Sequence, residues 1–169
     1  MGKKATKAAD NVYCIARYNA AETNENFASR EKASEIIGID RTRLARIELG
    51  TILPYPEELL LLSKAYNAPE LCNTYCVRQC PLGKHTMQEI EMDDFDRLAL
   101  KALGSLKNAE EIQDKLIKIA EDGKVSDYEE VDFQHVLDEL HKISMNAQAL
   151  QLWADKNIRK INIQEEEEG

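Results

Sequence analysis

The sequence predicts an all-α protein in two helical parts. Three observations carry this. Between Arg30 and Glu48, two short apolar-periodic helices meet at a single glycine, Gly38. Helix caps and stops recur along the first half at Asp40, Gly50, Pro56 and Asn67. In the second half, Phe133, Val136, Leu140, Ile143, Ala147, Leu150 and Ala154 step by three and four residues in strict alternation, the spacing of a heptad seam.

Residues 1–10 read as a basic flexible arm; MGKKAT also fits an N-myristoylation pattern, the weaker reading. Asn11–Ala21 is the first helix, with Val12, Ile15 and Ala16 on one side. Ser29–Ile37 and Asp40–Leu49 follow, with Ala33, Ile37, Ile39, Leu44 and Ile47 as their buried positions. Asp40 is a good N-cap because its carboxylate can accept a free N–H of the first turn. Gly50 can stop that helix by taking a positive φ. Pro56 suits a first helical turn, where its missing N–H costs nothing. The helix it opens runs through Leu59–Leu62 to Tyr66, with Asn67 as a left-handed stop. A cysteine-bearing helix, Pro69–Gln79, is ended by Pro81 and Gly83, which set the expected boundary between a domain 11–83 and a domain 84–160. In the second domain the expected helices are Met92–Leu106, Asn108–Ala120 and the seam-bearing one, opened by a Ser126–Glu129 capping box. Residues 161–169, with the run Glu165–Glu168, read as an acidic disordered tail.

The 169 residues carry a formal net charge of −9, and that charge is unevenly placed. Residues 1–66 hold ten Lys/Arg against nine Asp/Glu, whereas residues 67–169 hold twelve against twenty-two. A nonspecific nucleic-acid coat is therefore excluded. A local cationic face on an otherwise repelled molecule is not. No apolar run is long enough to cross a bilayer, so no membrane association is expected. Four cysteines without a secretory signal point to reduced thiols and a cytoplasmic location.

Three arginines, Arg41, Arg43 and Arg46, lie in six residues between buried positions. Such a helix packs on one side and meets a polyanion on the other. The segment SREKASEIIGIDRTRLARIELG resembles the helix-turn-helix of the Cro/phage-repressor (XRE) family, and the match continues through Pro54 and the leucine run to Ala65. Ser34 stands where that family usually has alanine, and Ala21–Phe27 is a longer connection than usual. YCVRQCPLGKH resembles a tail carried by some small regulators of Gram-positive bacteria and their prophages. The resemblance implies a lambda-repressor-like five-helix DNA-binding domain ahead of the three-helix one. It also implies a repressor that binds a palindromic operator in double-stranded DNA as a homodimer. Arg41, Thr42, Arg43 and Arg46 are the expected groove contacts, since arginine can bond guanine O6 and N7 together and threonine can touch a thymine methyl or a phosphate. Arg30, at the start of its helix, is the expected phosphate contact.

No enzyme is expected. The chain has no phosphate loop, no nucleophile-elbow serine and no paired-cysteine zinc ribbon. DGKVSDYEE lacks the oxygen ligands a calcium loop needs, because Lys118 and Ala120 fall at its first and third positions. Cys72, Cys76, Cys80 and His85 are candidate metal ligands. However, an unbroken helix spreads the outer two thiols about 12 Å apart, too far for one zinc ion. No metal or cofactor is expected, and small core residues in a reducing compartment are the preferred reading of these thiols. A rival function is a protein-interaction module, antitoxin-like or host-factor-binding, with its protein partner on the acidic half.

Overall fold

The structure, a computed structural model, describes Ala8 and residues 10–167, with side chains described as far as Ile158. Every regular element among the described residues is helical. The chain forms two compact units, Met1–Glu89 and Ile90–Gly169.

The first unit contains α1 (Val12–Ala21), a 3-10 turn (Glu25–Ala28), α2 (Arg30–Ile37), α3 (Arg41–Glu48), α4 (Pro56–Ala65), α5 (Glu70–Arg78) and the short α6 (Gly83–Thr86). Local chemistry sets each start. Asn11 Oδ1 accepts from Tyr13 N and Cys14 N at 3.0 and 3.2 Å, Ser29 Oγ from Lys32 N at 3.3 Å, and Asp40 Oδ1 from Arg43 N at 2.9 Å. Pro56 occupies the first turn of α4, where Glu58 reaches back to accept from Tyr55 N at 2.8 Å. Gly38, at φ +77°, makes the left-handed stop between α2 and α3, and Asn67 takes φ +48° after α4.

The core of this unit draws on all its longer helices. Ala33, Leu44, Ile47 and Leu62 are fully buried, and Tyr13, Ile37, Ile39, Leu59 and Leu71 nearly so. The long connection after α1 is not idle. Its 3-10 turn inserts Phe27 into the core, where the ring meets Tyr66 edge-on at 5.4 Å between centroids. Ala8 is also fully buried and accepts a bond from Asn11 N at 3.2 Å, so the expected loose arm is anchored at that residue. Residues 1–7 and 9 lie outside the described residues.

The cysteine-bearing segment closes the unit. Tyr75 O accepts from both Gln79 N and Cys80 N, at 2.8 and 3.0 Å, which ends α5. Pro81 turns the chain, and Gly83 comes back against α5. A Cβ at Gly83 would lie 2.2 Å from Cys76 O, so only glycine permits this approach. The unit then extends past Gly83 to Glu89. Asn73 Nδ2 donates to Gln88 O at 3.0 Å, and Arg78 pairs with Glu89.

In the second unit, α7 (Phe95–Ser105) and α8 (Ala109–Ala120) both pack on α9 (Glu130–Glu167). The entry to α9 uses half of the expected box. Ser126 N and Oγ both donate to Glu129, at 2.9 and 2.6 Å, ahead of a helix that begins at Glu130. Two expectations need correction. The seam is rotated: Val136 and Ile143 face inward as expected, but Leu140 is 42% exposed and Ala147 is also exposed. The inward line runs instead through Val136, Glu139, Ile143, Asn146, Ala149, Leu150 and Trp153. Contacts to α7 impose this rotation, since the Trp153 and Phe95 rings lie 4.9 Å apart and Asn146 Nδ2 donates to Lys101 O at 3.2 Å. The second correction concerns the tail. Helix α9 runs to Glu167, through most of the stretch expected to be disordered, because no proline or glycine interrupts it and glutamate is a good helix former.

Candidate nucleic-acid interface

Helices α2 and α3 present one polar face beside their Gly38 junction. Arg41, Thr42 and Arg46 are exposed there, while Leu44 and Ile47 of the same helix are fully buried. Arg41 and Arg46 make no ion pair among the described residues. Asn11 Nδ2 donates to Ile47 O at 3.2 Å, and Thr51 Oγ1 to Arg46 O at 3.0 Å, so the end of α3 is tied to its surroundings.

Arg43 is placed differently from its neighbours. Its guanidinium lies against Glu58 of α4, with Nε on one carboxylate oxygen and Nη2 on the other at 2.7 Å. It also stacks over the Tyr55 ring, 4.2 Å from the centroid. Hydrogen bonding from Arg43 holds the Glu58 carboxyl below the usual carboxylate range. Arg43 therefore borders the face but is already paired.

Arg30 opens α2 beside a buried charge cluster. Glu48 is fully buried and accepts from Arg17 Nε at 2.6 Å, Arg17 Nη2 at 3.1 Å and Arg30 Nε at 2.6 Å. Arg17, 2% exposed, also donates through Nη1 to Phe27 O at 2.8 Å. Two cations share this one carboxylate, and both line a pocket of about 310 Å³ together with Tyr18, Ala28, Ser29, Glu31, Arg41 and Ala45. The start of α2 and Arg41 share this pocket. Free N–H groups at a helix start and arginine side chains are the donors a phosphate group takes.

Sequence reasoning missed Arg17, Glu48, Glu58 and Tyr55. The first pair had a legible signal. Arg17 falls on the buried face of α1 with Tyr13, Cys14 and Ala20, and Glu48 directly follows buried Ile47. A charge on the apolar face of each of two neighbouring helices implies a pair.

The four candidate metal ligands do not converge. Among the described residues no three His, Cys, Asp or Glu side chains are placed to hold a metal ion. Cys72, Cys76 and Cys80 are half-buried free thiols. Burial, and then the neighbouring Cys80 and Cys72, push the Cys76 thiol above its usual pKa, which disfavours the reactive thiolate. Among the described residues no helix is long and apolar enough to cross a membrane. No family model matches the chain, and no curated protein or solved structure matches it either.

Proposed function

We propose that this chain is a sequence-specific DNA-binding regulator of the Cro/phage-repressor type, acting in the cytoplasm. In this reading it represses transcription as a homodimer on a palindromic operator, as prophage regulators do. It is a binding protein rather than an enzyme. One observation carries the reading: α3 buries Leu44 and Ile47 while exposing Arg41, Thr42 and Arg46 next to an arginine-lined pocket at the start of α2. Arg41, Thr42 and Arg46 then read base edges, and Arg30 with the pocket holds a backbone phosphate. Arg43 takes part by exchanging Glu58 for DNA or stays on Glu58 as a support.

The test is a mobility shift on the DNA immediately upstream of the protein's own coding region. A saturable shift, resistant to competitor DNA and centred on an inverted repeat with half-sites one or two helical turns apart, is the expected result. Loss of the shift in nonspecific competitor would sink the reading. A second reading, a protein-interaction module, is favoured by exposed apolar side chains in the second unit such as Leu100, Leu103 and Val131. A stable heterocomplex from a chain with no operator affinity would select it.

A further inference from the structure

One polar group in the core of the first unit does not serve its packing. The Tyr66 side chain is 4% exposed, and its hydroxyl is buried without a hydrogen-bond partner. A buried hydroxyl is stabilised by a partner and costly without one. Phenylalanine would fill the same space, so the core alone does not call for the oxygen.

The position of Tyr66 is tied to the charge cluster at Glu48. The Phe27 ring packs edge-on against the Tyr66 ring, and the Phe27 carbonyl accepts from Arg17 Nη1 at 2.8 Å. Arg17 in turn holds both oxygens of Glu48, and Arg30 Nε donates to Oε2 at 2.6 Å. Of the charges around the Tyr66 phenol, Glu48 acts on it most strongly, ahead of Arg17 and Arg30. Burial, and then that carboxylate, hold the phenol above its usual pKa, so the group is a neutral donor. Cys14 already bonds Glu48, and a thiol is a weak donor.

The need for a further donor arises at Oε2. Arg30 is the outer partner of Glu48, 28% exposed, whereas Arg17 is 2% exposed. When a phosphate draws Arg30 outward, Oε2 loses the shorter of its two arginine bonds inside the core. A hydroxyl can replace it, because bonds to an ionised oxygen are the strong ones. We propose that Tyr66 is a positioning residue for the phosphate contact: its hydroxyl takes the place of Arg30 on Glu48 Oε2 when Arg30 turns to an anion. Only hydrogen bonds change, and no proton is transferred. With Oε2 satisfied in both states, Arg30 moves between Glu48 and phosphate without stranding a buried acceptor. This rests on the reading of Arg30 as a backbone-phosphate contact and names the residue that releases it.

A double-variant cycle on the full chain tests the exchange without DNA, with Arg30→Ala standing for the departed guanidinium. Amide hydrogen exchange in α1 and α3 reads the stability of the first unit. Tyr66→Phe alone should leave it unchanged or slightly raised, since the hydroxyl gives up no bond. Arg30→Ala should lower the folding equilibrium constant about tenfold more in the Tyr66→Phe background than in the parent. In Arg30→Ala a downfield hydroxyl proton should appear by NMR, absent from the parent and from the double variant. Additive costs, or the absence of that proton, overturn the proposal. A mobility-shift titration separates this idea from the reading it rests on. Tyr66→Phe should weaken binding to operator DNA about tenfold at unchanged stability, and should weaken binding to unrelated DNA at low salt as well, because a phosphate contact carries no sequence. A coupled cycle in a chain that binds no DNA supports the exchange at Glu48 and overturns the regulator reading. DNA binding indifferent to Tyr66→Phe shows that Arg30 stays on Glu48, and overturns the proposal.

Discussion

Replacing Glu48 by glutamine should be among the most damaging single changes in the first unit. The carboxylate is fully buried and receives three N–H bonds, two from Arg17 and one from Arg30, at 2.6–3.1 Å. Glutamine keeps the shape but loses the charge, and its amide donors would face guanidinium donors. Arg17 cannot escape by losing its proton. It would stay a buried cation held by Phe27 O, Ala28 O and the Tyr18 ring but by no anion of the same strength. Breaking a buried pair from one side costs about 3–5 kcal/mol. Removing both charges is a different matter, and Arg17→Met with Glu48→Leu should recover most of that loss. The assay is amide hydrogen exchange in α1 and α3 during urea titration. Trp153, the lone tryptophan, reports separately on the second unit and should be unmoved. A loss below about 1 kcal/mol in Glu48→Gln, or a double variant no more stable than the single one, would refute the reasoning.

Gly83→Ala should destabilise the first unit by about 1–3 kcal/mol or more, because its Cβ would fall 2.2 Å from a backbone oxygen that cannot rotate away; hydrogen exchange in α5 would read the loss, and an unchanged pattern would count against the close approach. On operator DNA, Arg41→Ala and Arg46→Ala should each weaken binding by about 1–3 kcal/mol if they make bidentate base contacts, with Arg43→Ala costing less because Glu58 already holds it. A mobility-shift titration ranking Arg43 first would show that it leaves Glu58 on binding. The Glu58 carboxyl, lowered by Arg43, stabilises the fold at pH values above the ordinary carboxylate range, and that contribution is lost as pH falls through the lowered value. The Arg43 Nε–H resonance should therefore move toward that of a free guanidinium on acidification, and in Glu58→Gln it should already lie there at neutral pH.

Much of the fold was legible because its boundaries are decided locally. Asp40, Gly50, Pro56 and Asn67 stop or start helices through their own backbone and side-chain chemistry, and each does so where expected. The face of α9 was not legible in the same way. The apolar seam and the observed inward line share Val136, Ile143 and Leu150, and the contacts from Phe95 and Lys101 decide which line turns inward. The exposed residues of α3 followed from the burial of Leu44 and Ile47. The pairing of Arg43 did not, because Glu58 lies on another helix and nothing in the local pattern links them. The close approach at Gly83 was likewise hidden, since a glycine after a proline reads as a simple break until the returning chain is seen.

The shared carboxylate at Glu48 has a consequence for how the first unit can engage an anion. Arg17 alone neutralises Glu48, and it does so from a position solvent barely reaches. Arg30 is the outer partner, 28% exposed, on the same acceptor. An incoming phosphate can draw Arg30 off without stranding a buried charge, because the inner pair remains balanced. The outer member of the triad can thus change partners while the inner member keeps α1 and α3 locked together. The stability of the unit and the proposed phosphate contact would in this way rest on different arginines.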